Sequence, residues 1–158
     1  MRLIALFAFL AVLLDQVSKY VVIHTMELAR VGTIQIFPPL LNFIYGENRG
    51  INFGLFDNGD SRWLLVGLAV AICVGVVWWM SRAPQGALAL TSAGLLIGGA
   101  LGNVIDRLWY GYVLDFLNMS CCGINNPFVF NVADIFIFAG ALGVAFFSND
   151  AKSDKKRA

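Results

Sequence analysis

Charge is scarce in this chain. Of its 158 residues only 13% are Asp, Glu, Lys or Arg (10 acidic, 11 basic), whereas 59% are hydrophobic. The mean hydropathy is +0.75. A soluble domain carries about a quarter charged residues, so this composition does not read as a soluble globule. A formal charge of +1 says nothing in favour of nucleic acid, and none is expected as a partner. Three cysteines do not make a disulfide framework. Cys73 lies in an apolar segment and reads as a small packed hydrophobe. Cys121 and Cys122 are adjacent, and a bridge between direct neighbours would be strained. The single histidine, His24, is far from them in sequence, so no Cys–His nucleophile is expected. No internal repeat is visible, and no low-complexity tract apart from a short charged tail that is expected to be disordered.

What the chain does have is long apolar runs. Four stretches, about 3–23, 63–80, 86–105 and 130–147, approach the roughly 20 helical residues that cross a hydrocarbon core. Arg2 before an apolar run is reminiscent of a secretory signal. No A-x-A-like cleavage site follows, and Asp15 and Lys19 interrupt the run, so a retained helix is expected. The fold expected is therefore one α-helical membrane domain of four transmembrane helices. Asp60 or Ser61 can cap the second helix, and Pro84 lies in the turn before the third. Arg2, Arg82, Lys152, Lys155, Lys156 and Arg157 concentrate on one side, which places both termini and the tail, 148–158, in the cytoplasm.

Two longer connections face the other way. The first, about 25–62, holds the runs 33–37, 40–45 and 51–56, separated by Pro, Gly and Asn. Such runs suggest short strands. With Phe37, Phe43, Tyr45, Phe53 and Phe56 they would suit a small β-rich segment lying at the outer membrane surface. The second, about 108–129, contains Gly111, Gly123 and Pro127 and reads as a mobile loop. Gly94, Gly98, Gly99 and Gly102 recur along the third helix, where missing side chains let another backbone come close.

Polar residues within or beside lipid are costly and call for a function. Asp15 and Lys19 form an i,i+4 pair in the outward half of helix one, in the favourable order. Asn103, Asp106 and Arg107 are expected to share a face at the outer end of helix three. Asn131 and Asp134 fall in the first turn of helix four, where Asn131 can cap the free N–H groups. Helices one and three run outward and helix four inward, so all three clusters end near the outer leaflet. Asp115, in V-L-D-F, and Asp134, in F-N-V-A-D, would form a proton-sharing pair if they meet at one depth. From the residues alone a catalytic pair, a proton or ion pathway and plain structural support all stay open.

Five segments together narrow the choice: L-D-Q-V-S-K at 14–19, N-R-G at 48–50, G-G-A-L-G-N-V-I-D-R at 98–107, V-L-D-F at 113–116 and F-N-V-A-D at 130–134. In that order they resemble the bacterial lipoprotein signal peptidases (signal peptidase II), which are intramembrane aspartyl proteases, and the likeness covers nearly the whole chain. The resemblance implies removal of signal peptides from diacylglyceryl-modified prolipoproteins, by cutting the bond N-terminal to the lipidated cysteine. It implies Asp115 and Asp134 as the catalytic dyad, with no metal and no cofactor. Asp15, Lys19, Asn48, Gly50, Asn103, Asp106, Arg107 and Asn131 match positions that support the site or bind substrate. The implied setting is the bacterial inner membrane, with the site toward the outer face, membrane lipid and prolipoprotein as partners, and a monomer. The family's usual N-x-G-A-A-F appears here as Asn48-Arg49-Gly50-Ile51-Asn52-Phe53, a departure that bears on substrate preference more than on chemistry. A non-catalytic lipoprotein-binding or assembly factor and a small proton or ion transporter are the alternatives.

Overall fold

A computed structural model describes residues 1–50, 60–121 and 126–148. Helix α1 (Arg2–Lys19) continues through a π-helical turn, Tyr20–Thr25. A short α2 (Leu28–Val31) leads into strands β1 (Thr33–Phe37) and β2 (Leu41–Asn48). Helices α3 (Asp60–Ser81) and α4 (Ala87–Trp109), strand β3 (Val113–Asn118) and helix α5 (Val132–Phe147) follow.

Among the described residues, three helical stretches are long and apolar enough to cross a membrane: Arg2–Thr25, Ser61–Ser81 and Ala87–Trp109. Helix α5 is apolar but has only 16 residues, roughly 24 Å at 1.5 Å per residue. It is shorter than the expected 130–147 because Asn131 is its N-cap and Phe130 is still extended.

Helix α4 is the axis of the bundle, and α1, α3 and α5 pack around it. The buried residues of α1 are Ile4, Ala8, Ala11, Asp15 and Lys19, steps of three and four that make a single stripe. The other faces of α1 carry exposed Leu6, Phe9 and Leu14, as lipid contact requires. Two glycines of α4 set the helix spacing. A Cβ on Gly98 would stand 2.5 Å from the Ala8 carbonyl oxygen of α1, and one on Gly99 would stand 2.5 Å from the Ala133 carbonyl oxygen of α5. Small residues substitute for the hydrophobic drive that lipid removes, because close backbones maximise dispersion contact. Helix α3 is the least embedded, with only 6% of its apolar window buried. Its Trp63 and Trp78 lie under Arg62 and Arg82 at 4.6 and 4.2 Å, near opposite ends of the helix, where aromatic belts favour such rings.

At one end of the bundle lies an antiparallel sheet of order β1-β2-β3. Strand β1 matches the expected 33–37, and β2 extends the expected 40–45 run as far as Asn48. The run 51–56, with Phe53 and Phe56, falls outside the described residues. The expectation of a mobile loop over 108–129 needs correction. Residues Val113–Asn118 pair with β2, Gly46 facing Asp115 and Asn48 facing Val113. V-L-D-F-L-N lacks Gly and Pro, but its pairing partner lies much earlier in the chain, so local sequence does not reveal the ladder. Phe116 is buried beneath the sheet with Leu28, Leu114, Val22 and Ile23, and Phe43 meets it edge-on at 5.5 Å. The sheet is therefore fastened to the helices by its own hydrophobic cluster. Phe37 is exposed. Cys73 is buried in the other cluster, among Ile4, Ala8, Ile97 and Val144. Cys122 and the tail from 149 on lie outside the described residues.

The close approach at Gly98 makes a direct expectation. Gly98→Val should lower stability by about 1–3 kcal/mol in thermal unfolding in detergent. Gly75→Ala on α3, where a Cβ meets nothing within 4 Å, should stay within about 0.5 kcal/mol of the parent.

Candidate active site

The site begins at the N-terminus of α5. Asn131 Oδ1 accepts from the Asp134 N–H at 3.0 Å, and Asp134 Oδ2 accepts from the Asn131 N–H at 3.2 Å. This reciprocal capping box satisfies two otherwise orphan donors and fixes the Asp134 side chain. The Asn131 amide nitrogen then donates to Asp115 Oδ1 at 2.6 Å and lies 3.2 Å from Asn103 Oδ1. Asn103 in turn donates from Nδ2 to Asp134 Oδ1 at 2.9 Å. Two amides thus join two carboxylates from different elements. The strand contributes to this alignment, because the Phe116 and Leu117 N–H groups donate to the Phe130 carbonyl at 3.0 and 2.8 Å. That holds β3 beside the segment leading into α5.

A second polar group lies behind the first. Lys19 Nζ is 2.7 Å from Asp15 Oδ2 and 2.7 Å from Asp106 Oδ2, all three side chains essentially buried. Gln16 donates from Nε2 to Asp106 Oδ1 at 2.9 Å and Asp15 Oδ2 at 3.1 Å. The remaining acceptor sites are occupied by backbone. Asp15 Oδ1 takes the Ala133 N–H at 2.9 Å, and Asp106 Oδ2 takes the Leu114 N–H at 3.0 Å. Ala133 precedes Asp134, and Leu114 precedes Asp115. The ion triad therefore holds the backbone one residue before each acid.

The expected i,i+4 pair of Asp15 and Lys19 is present, with Asp106 as a third member. Asn103, Asp106 and Arg107 lie on one face of α4, at i, i+3 and i+4, but that face is divided between two networks. At about 100° per residue, Asp106 and Arg107 fall on either side of Asn103. Asp106 turns to Lys19, Asn103 meets Asp134, and Arg107 Nη1 donates to the Asn103 carbonyl at 3.2 Å. Gln16 was missed by sequence reasoning, although it sits inside the L-D-Q-V-S-K segment. Its adjacency to Asp15 was the available signal.

Asn48, at the end of β2, reaches the site as well. It lines the same cavity as Asp115, and its Oδ1 accepts the Gly50 N–H at 3.1 Å. Gly50 has a φ of +93°, a backbone conformation that glycine adopts without strain and other residues rarely do. A polar cavity of about 320 Å³ lies against Asp115, lined by Glu47, Asn48, Arg49 and Phe128. An apolar groove of about 250 Å³ runs between α3, α4 and α5, with Leu65, Leu68 and Ile72 on its walls and Asn103 and Arg107 also lining it. Among the described residues no three His, Cys, Asp or Glu side chains group as a metal site. His24 stands 3.4 Å from the Tyr110 hydroxyl, away from both acids.

Electrostatics separates Asp115 from an ordinary carboxylate. Burial first, and the Asp134 charge second, push its carboxyl up to about 6, against the hydrogen bond from Asn131, the Asn48 side chain and the Lys19 charge. A carboxyl so placed keeps its proton at pH values where an exposed aspartate has lost it.

Removing the cation behind the site should be costly. Lys19→Met leaves two buried carboxylates without their counter-charge, and should lower unfolding stability by about 3–5 kcal/mol. Gln16→Met removes only neutral donors and should cost about 1–3 kcal/mol in the same thermal measurement.

Residues 7–149 match the family model described as Peptidase_A8, signal peptidase (SPase) II. A lipoprotein signal peptidase of Alteromonas mediterranea is 43% identical over 155 residues, covering 94% of this chain and 83% of its own. One of Methylorubrum extorquens is 43% identical over 144 residues, covering 90% and 81%. A solved bacterial membrane enzyme is similar in fold, with a TM-score of 0.77 and 29% identity over 97% of this chain and 91% of that one. With a family match running from the first helix to the end of the last, the chain belongs to the signal peptidase II family.

Proposed function

We propose that this protein removes signal peptides from diacylglyceryl-modified prolipoproteins, hydrolysing the peptide bond on the N-terminal side of the lipidated cysteine. Asp115 and Asp134 are the acids that do it. The observation that carries this reading is the bridge from Asp115 through Asn131 and Asn103 to Asp134, set between a polar cavity and an apolar groove. A membrane peptidase needs both environments, because its substrate changes from apolar to polar at the bond cut.

The chemistry follows from two carboxylates in surroundings of low polarity. Both cannot be charged cheaply, so the pair holds one proton. The ionised member draws a proton from a water lying between them, and that water attacks the scissile carbonyl carbon. The protonated member gives its proton to the carbonyl oxygen. Collapse of the tetrahedral intermediate then breaks the C–N bond as the amine leaves with a proton. The titration belongs to the pair. Asn131 and Asn103 hold the carboxylates in register, and Arg107 lines the groove where the substrate backbone would pass.

The same reading gives four crossings, α5 being the short fourth, and both termini in the cytoplasm. Its support is the basic residues of the N-terminus, of the α3–α4 turn and of the tail. The site then faces the outer leaflet of the bacterial inner membrane, and the protein acts as a monomer. Polar groups set toward one face rather than at mid-depth, and no visible repeat, count against a transporter.

Asp115→Asn and Asp134→Asn should each lower cleavage of a purified, lipidated prolipoprotein by at least about 10³-fold, with the thermal midpoint in detergent close to that of the parent. Substantial processing by either variant would end the dyad assignment. The pH profile has a defined sign. The raised Asp115 value means the needed proton is present below pH about 6 and is lost above it. For the free enzyme kcat/KM should therefore decline as pH rises through this region, about tenfold per unit. Substrate adds burial and disfavours charge further, so the corresponding limb of kcat should lie at higher pH. A kcat/KM limb that instead rises through pH 6 would contradict a proton-sharing pair.

A further inference from the structure

The polar cavity beside Asp115 has a rim that the proposed cleavage does not use. Glu47 and Arg49 stand on it with Asn48 between them, and Phe128 lies on its wall. Arg49 Nη2 donates to Glu47 Oε2 at 2.7 Å, and its guanidinium lies 5.4 Å from the centroid of the Tyr112 ring. Glu47 is well supplied with donors. Besides Arg49 it accepts from the Tyr45 hydroxyl at 3.3 Å. Arg49 is the opposite case. A guanidinium has five N–H donors, Glu47 is its hydrogen-bonded side chain among the described residues, and its own side chain is 72% exposed. The rim thus has an anion already paired by Arg49 and Tyr45 and a cation with donors to spare.

The two environments at the dyad decide which part of a substrate meets this rim. Asn103, bonded to Asp134, lines the apolar groove between the helices, whereas Asp115 lines the polar cavity over the sheet. A signal peptide and its neighbouring acyl chains are apolar and fit the groove. The chain after the lipidated cysteine belongs to a protein bound for water and fits the cavity.

We infer that Arg49 is a specificity-determining residue that reads the first side chains after the lipidated cysteine, favouring those with hydrogen-bond acceptors, acidic or amide, over basic ones. This rests on the peptidase reading above. Lysine and arginine bring only donors, which face donors on Arg49 and must compete with Arg49 for the carboxylate of Glu47, a side chain only 32% exposed. The net negative charge of a singly protonated dyad attracts a basic side chain and opposes this preference. Contact wins over that attraction at the rim because Arg49 is reached directly, whereas the dyad charge is buried behind its amides.

The experiment compares purified wild-type, Arg49→Gln and Arg49→Glu proteins on lipidated peptides that differ only in the two residues after the cysteine (Asp, Asn or Lys). Arg49 is exposed, so the variants should keep the parent's thermal midpoint. Wild type should cleave the Asp and Asn peptides about 3- to 10-fold better than the Lys peptide in kcat/KM, mostly through KM, as suits an exposed charged contact. The Asp advantage should shrink at high salt. Arg49→Gln should flatten it, and Arg49→Glu should reverse it. Cleavage of all peptides without discrimination by wild type, or an unchanged preference in Arg49→Gln, would overturn this inference alone. No cleavage of any peptide by wild type would overturn the peptidase reading and this inference with it.

Discussion

One ammonium group between two carboxylates holds the functional end of the molecule together. Lys19 joins Asp15 of α1 to Asp106 of α4, and each carboxylate passes the constraint to a backbone N–H next to a candidate catalytic acid. Buried ion pairs are weak sources of stability, since desolvation offsets most of the attraction. Their value here is geometric. The start of α5 and the start of β3 are tied to the same charged centre, so neither acid can shift without stretching a charge-assisted bond.

The glycines of α4 serve the same end by a different route. Lipid gives helices no hydrophobic reason to associate, and contact distance has to supply the attraction. Gly98 and Gly99, about 100° apart, bring α1 and α5 onto neighbouring faces of α4. Only at such spacing does Asp15 on α1 reach the Ala133 N–H on α5. Helix α3 lacks this intimacy and leaves a groove along α4 and α5. Tight packing on two sides and loose packing on the third produce a rigid pair of acids beside an open apolar channel.

Much of this was legible in the chain. Apolar runs located the long helices, because a stretch of that length has few other uses. Asn131 three residues before Asp134 announced a helix start, since capping depends only on neighbours in sequence. The Asp15–Lys19 pair was likewise local. Strand β3 was not legible: its hydrogen bonds go to β2 and to Phe130, and six residues lying between Gly111 and Gly123 in sequence look like loop until the partner is known. The split of Asn103, Asp106 and Arg107 between two networks also escaped, because neighbours on one helix turn can be divided by what packs on either side.

The sequence by itself determined that this is a helical membrane protein, since apolar runs of that length have few other uses. Its motifs determined the family. Tertiary structure alone decided which amide meets which acid, that Asp106 supports from behind while Asn103 faces the dyad, and that Arg49 has donors to spare while Glu47 is already paired. Those outcomes depend on contacts between residues far apart in the chain, and hydrogen-bond partners are set by distance in space, which no local pattern encodes.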